Sequence, residues 1–203
     1  VESLARSRRV DITGSTVAVS SGGRSVGALV MTPEQASWDG EGEQPWAFWI
    51  HGGGFCWGAA LDGSAVQLAA DAGVPVVSVE YPLAPERPYP APLDACVDAY
   101  LAHVEAWGPR VLLGGLSAGA NLALGVLARV QADGGPVPLG LLAATPFADL
   151  AGRGDSYSAN DGRDAYVRWK GQQERFAKAY RGSARATDPF VSPVHQTWVE
   201  PVP

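Results

Sequence analysis

The sequence predicts an α/β domain built on a mostly parallel sheet with helices on both faces, and three observations predict it. Short apolar runs of strand length alternate with stretches of helical spacing, and strands separated by helices pair in parallel through right-handed crossovers. Runs such as Val74–Val79 are unbroken by charge, as expected of strands covered on both faces. Third, Arg110–Asp133 reads as one unit: a buried strand on Val111, Leu112 and Leu113, a tight turn on Gly115-Leu116-Ser117-Ala118-Gly119, and a helix with Leu122, Val126, Leu127 and Val130 on one face. Gly134-Gly135 stops that helix.

Taken in order, Val10–Ile12 and Val17–Val19, a turn at Ser20–Arg24 and Val26–Met31 predict two antiparallel strands. Thr32–Pro45 is polar and reads as a loop before the apolar strand Trp46–Ile50, which ends in His51-Gly52-Gly53-Gly54-Phe55. Asp62–Ala72 has helical spacing and is closed by Gly73; Val74–Val79 is the next strand. Tyr81–Pro92 carries five prolines and is a fixed loop, because proline can neither donate to a ladder nor continue a helix. Leu93, Val97, Tyr100, Leu101 and Val104 mark a helix ending before Gly108-Pro109, and Leu139–Ala144 is a last strand stopped by Pro146. Asp149–Asp164 is polar and rich in Gly and Ser. Tyr166–Tyr180 predicts a helix and Arg181–Pro203 irregular chain.

The chain has 203 residues, enough for one domain (1–203) with a substantial core. A net charge of −6, from 15 basic and 21 acidic residues, recommends neither nucleic acid nor anionic lipid as a partner. Arg6, Arg8 and Arg9 read as a solvated terminus. No apolar run approaches the roughly 20 residues of a membrane span. Cys56 and Cys96 form no disulfide framework and no metal-ligand spacing, and read as small hydrophobes of a reducing, cytoplasmic compartment. The three histidines, far apart in sequence, suggest no metal site.

Ligands of parallel sheets bind beyond the carboxyl ends of the strands, where both glycine-rich turns fall. A serine between glycines at a strand-to-helix turn fits the nucleophile elbow, although a bare GxSxG recurs by chance. Acyl transfer by a serine puts negative charge on the former carbonyl oxygen, and one preorganised N–H donor to it is worth roughly 10²–10³ in rate. Gly53 and Gly54 are candidates for two donors, with Ala118 N–H as the third. Phosphate binding by Gly52–Gly54 is disfavoured, since neither GxxxxGK[ST] nor GxGxxG occurs here. His51, at a strand end beside the loop, is expected to hold that loop by hydrogen bonds rather than to transfer protons.

HGGGFCWG at 51–58, YPLAPERPYPAPLDA at 81–95, GLSAGANLAL at 115–124 and DPFVSP at 188–193 occur in the order found in one family. Together they resemble the hormone-sensitive-lipase-type α/β-hydrolases, the group that contains the bacterial HGGG esterases. The resemblance implies an α/β-hydrolase fold incomplete at its C-terminus, acting on short- to medium-chain carboxylic esters without a cofactor. It implies Ser117 as nucleophile, the Gly53, Gly54 and Ala118 amides as oxyanion hole, and His51, Gly52 and Glu86 as supports. A lid or cap would fall at 149–187.

Some positions depart from the family. Leu116 stands where many members have Asp, and Pro82 where many have Arg. Lid helices have little room before Val10. The family's acid and base lie on loops beyond the DPFVSP stretch, which implies that this chain lacks them. His103 is expected to be an exposed helix residue, and Asp188 a turn or cap residue. A Ser117–Asp188–His195 triad has the family's order, but its seven-residue gap leaves no room for the strand between acid and base. A chain with elbow and oxyanion loop but no base also fits a catalytically silent protein that binds a small molecule or a partner.

Overall fold

The computed structural model describes residues 1–18, 25–35 and 43–199, with residues 15–18 and 25 described by their backbone alone. Six strands form one sheet in the order β1-β2-β4-β3-β5-β6. The strands β1 (Val10–Ala18) and β2 (Ser25–Pro33) form an antiparallel pair, and β2 runs antiparallel to β4 (Val76–Glu80). From there on β4, β3 (Trp46–Ile50), β5 (Val111–Leu116) and β6 (Gly140–Ala144) are parallel. The predicted turn at 20–24 and residues 36–42 of the predicted loop lie outside the described residues.

The crossovers are helical. Gly63–Ala72 (α2) joins β3 to β4, Ala91–Trp107 (α3) joins β4 to β5, and Ala118–Ala132 (α4) joins β5 to β6. Asp62 caps α2 by accepting a hydrogen bond from Ser64 N–H (2.9 Å), and Gly73 ends it in the left-handed conformation. From β3 the chain moves one way to β4 and then back across to β5. The carboxyl ends of β3 and β5 therefore lie side by side at a topological switch point.

Side chains alternate along β3 and feed two cores. Phe48 and Ile50 join Leu93, Tyr100, Leu122 and Val126 beneath α3 and α4. Ala47 and Trp49 face the opposite way, toward Val66 and Ala69 of α2 and Ala5 of a short first helix, Glu2–Arg8 (α1). The sequence pattern does not predict that helix. It packs Leu4 and Ala5 onto the α2 side of the sheet, while its arginines stay exposed and Arg8 pairs with Asp71.

Two expectations need correction. His103 is not exposed: it is fully buried in α3 among the rings of Trp46, Phe48 and Trp107. The predicted helix Tyr166–Tyr180 forms only as Glu174–Arg181 (α6), because Lys170 and Gly171 adopt non-helical backbone angles. A five-residue helix, Asp155–Ala159 (α5), lies in the Gly- and Ser-rich stretch before it. Among the described residues no helix is long and apolar enough to cross a membrane.

Candidate active site

β5 runs on to Leu116, one residue short of the serine, and α4 begins one residue after it. Ser117 itself has φ 55° and ψ −112°, a conformation that L-residues rarely adopt and that costs about 1–3 kcal/mol. Three backbone hydrogen bonds hold it there. Ser117 N–H donates to Ala144 O (2.9 Å), and its carbonyl accepts from Asn121 N–H and Phe147 N–H (both 3.1 Å). The strand-to-helix turn needs close approach as well as strain. A Cβ on Gly119 would fall on the carbonyl oxygens of Ile50 and His51, so only glycine lets α4 start against the end of β3. Ala118 is the first residue of α4, and its N–H has no carbonyl four residues back to bond.

The glycine loop after β3 lies directly beside this turn. A Cβ on Gly52 would stand 3.0 Å from Leu116 O and 3.6 Å from Ser117 Cβ. Gly53 has φ +113°, and its carbonyl accepts from the N–H groups of Cys56 and Trp57 (both 3.1 Å), forming a tight turn. Gly54 has φ +58° and is covered by Phe176 of α6, whose ring would lie 2.6 Å from a Cβ there. The structure thus brings Ser117, Ala118 and Gly52–Gly54 together.

His51 sits behind the loop. Its ring is buried and stacked on Tyr81 at 4.2 Å, and Nδ1 lies 2.7 Å from Gly52 O, a carbonyl that can only accept. Desolvation is the main cause that lowers its pKa, opposed by the Gly52 hydrogen bond. The proline loop supports the site through its backbone and Tyr81. Ala84 N–H donates to Phe55 O (2.9 Å) and Tyr81 OH to His51 O (3.1 Å). Glu86, in the same loop, is exposed, and its charge helps burial raise the pKa of the half-buried Cys56 thiol. Ala60 N–H donates to Glu80 Oε2 (2.6 Å), and Trp49 Nε1 to Asp62 Oδ2 (3.2 Å), tethering the far end of the glycine loop.

Two polar residues outside the expected site hold the outer segment: Asn121 ties it to the helix after the elbow, and Ser192 links its own stretches together. Asn121, fully buried one turn into α4, donates through Nδ2 to Phe147 O (2.7 Å) and Val191 O (3.0 Å). Ser192 Oγ accepts from Leu150 N–H (2.8 Å) and donates to Ala186 O (2.6 Å). The signal for Asn121 was an amide inside an otherwise apolar helix, since a buried amide must find partners. Asp188 is a turn residue, accepting from Phe190 N–H through Oδ1 (2.9 Å), and His195 is exposed on a short 3₁₀ turn. Among the described residues no hydrogen bond joins a histidine ring to Ser117.

A strained serine at a strand-to-helix turn, facing a glycine loop at the switch point of this sheet, defines an α/β hydrolase. The family described as alpha/beta hydrolase fold matches residues 47–203. An esterase of Acinetobacter venetianus is 35% identical over 151 residues, 72% of this chain and 50% of that protein. An acetyl-hydrolase of Streptomyces hygroscopicus is 32% identical over the same shares. The crystal structure of a hormone-sensitive lipase from a metagenome library superposes with a TM-score of 0.82 at 27% identity, covering 96% of this chain and 65% of that one. The chain belongs to the alpha/beta hydrolase fold family, in its hormone-sensitive-lipase-type branch. It spans about half the length of the curated relatives it matches.

Proposed function

We propose that this chain carries the nucleophile and oxyanion hole of a serine hydrolase that cleaves short- to medium-chain carboxylic esters. The observation that carries the reading is Ser117, held at a positive φ against the Gly52–Gly54 loop. Ser117 Oγ attacks the ester carbonyl carbon while a base takes its proton. The carbonyl oxygen becomes an oxyanion facing the N–H groups of Gly53, Gly54 and Ala118. Collapse expels the alcohol and leaves an acyl-enzyme, which water cleaves by the reverse sequence. These steps need no cofactor. The relatives' activities as esterase and acetyl-hydrolase support this substrate class.

The base is proposed to lie outside these 203 residues. Each histidine has another position: His51 is stacked behind the glycine loop, His103 is buried beside Trp46 at the start of β3, and His195 is exposed at the end of the 3₁₀ turn Pro193–His195. The segment 149–187 is proposed as a cap, which Phe176 over Gly54 supports. In the complete enzyme Ser117→Ala should lower kcat by about 10⁶ with the fold intact. A variant that retains a tenth of the wild-type rate removes Ser117 from this role.

A further inference from the structure

A cleft of about 650 Å³ opens between α6, the loop after β6 and the stretch 185–187. None of its lining residues belongs to the glycine loop or to the serine turn. Four of them are cationic, Arg153, Lys178, Arg181 and Arg185, against one acid, Glu174. In a chain of net charge −6 this is a local reversal of sign. Glu174 is engaged elsewhere, since its Oε2 accepts from Gly171 N–H (3.1 Å). Among the described residues the ion pairs are Arg8–Asp71 and Arg129–Asp94, so none of the four cations is paired.

The cleft also has a fixed apolar wall. Leu150 and Ala177 are buried at its base. Beside them the Trp169 ring is held edge-on by Phe147 (6.4 Å) and Tyr157 (4.6 Å). Arg181 is held too: its Nη1 donates to Ala184 O (3.0 Å), fixing the guanidinium at the end of α6.

Four like charges around one concavity repel one another and focus a positive potential into it. A single carboxylate would meet only part of that charge. A phosphate dianion offers three oxygens to guanidinium forks, which bind it bidentately, and an apolar or planar group attached to it would lie on Trp169. We propose that this cleft binds a small phosphate monoester carrying an apolar or planar group, at a site separate from Ser117.

The test is calorimetric titration of the chain with phenyl phosphate at low and high salt, which reads binding and is independent of ester hydrolysis. Saturable one-to-one binding that weakens with salt is expected, whereas phenol, lacking the phosphate, should not bind. The double variant Lys178→Glu/Arg185→Glu should raise Kd by roughly tenfold or more. Arg153→Glu, on a different element, should weaken binding in the same direction. Circular dichroism keeps either effect separate from misfolding. The proposal is overturned if phenyl phosphate gives no saturable binding, if both folded variants bind as the wild type does, or if only phosphatidic acid vesicles bind.

Discussion

Gly53 and Ser117 share a positive φ but need it for opposite reasons. At Gly53 the proposed role is to turn amides toward the substrate, and its φ of +113° is open to glycine alone. A side chain there would meet the Trp57 carbonyl, so Gly53→Val must twist the loop. The expected cost is at least the roughly 10²–10³ of one lost oxyanion donor. It should fall on kcat, because the charge exists only in the transition state. A change confined to KM would mean that the loop only shapes the pocket. The two turns that meet here are legible because their backbone geometry demands glycine, and glycine is visible in a sequence. His103 was not read correctly, although Cys96, Tyr100 and His103 share the buried face of α3. Desolvation among aromatic rings lowers its pKa from 6.5 to about 4. Between those values the unfolded chain binds a proton that the folded one does not, so stability rises with pH through the window. It is lost again as pH falls from 6.5 toward 4, by as much as about 3 kcal/mol. His103→Leu should flatten the dependence of the thermal midpoint on pH between 7 and 5. An unchanged slope would place the effect elsewhere.

Among the elements, legibility followed the strength of the apolar pattern. β3 was read to the residue and α2 to within its cap because each is bounded by glycine, proline or a charged side chain. β5 was read short, since Gly114 and Gly115 look like turn residues although they pair with Leu142 and Ala143. At α1, seven residues are too few to show a period, and its place is set by packing on the α2 side of the sheet. The antiparallel pair β1–β2 and the four parallel strands came out as expected from alternation and crossover rules. Joining the outer segment to α4 is not legible in the sequence, because it depends on Asn121, whose partners are backbone carbonyls 26 and 70 residues away. Asn121→Ala would strip the donor from Phe147 O and Val191 O, at about 1–3 kcal/mol for each buried acceptor left unpaired. The variant should remain folded in its sheet but release 148–192, so limited proteolysis should cut there first. A digestion pattern matching the wild type would show that Asn121 does not hold that segment.

For the molecule as a whole, the question is whether 203 residues can turn over an ester unaided. A serine hydroxyl is a weak nucleophile near neutral pH and becomes effective when a positioned base takes its proton. The fold supplies an elbow and three candidate oxyanion amides, but among the described residues none of its three histidines is hydrogen-bonded to Ser117. His51 is stacked on Tyr81 with Nδ1 on Gly52 O, His103 is enclosed by rings at the opposite end of the sheet, and His195 is exposed. Oxyanion stabilisation and binding alone leave about 10³–10⁴ over water in a serine protease stripped of its triad. With the chain at about one ten-thousandth of the ester concentration, such a factor acts only on the bound fraction and adds at most an amount comparable to the spontaneous hydrolysis of the whole pool. Residues 1–203 alone should therefore hydrolyse p-nitrophenyl butyrate at close to the background rate, with Ser117→Ala making little difference. A segment bearing acid and base, fused or added as a second chain, should raise the rate by orders of magnitude in a Ser117-dependent way. An ordinary enzymatic rate from the chain alone, abolished by Ser117→Ala, would instead require one of its own histidines as the base. His195→Ala compared with His51→Ala would then identify it, since only the first side chain can swing free without breaking the buried stack on Tyr81.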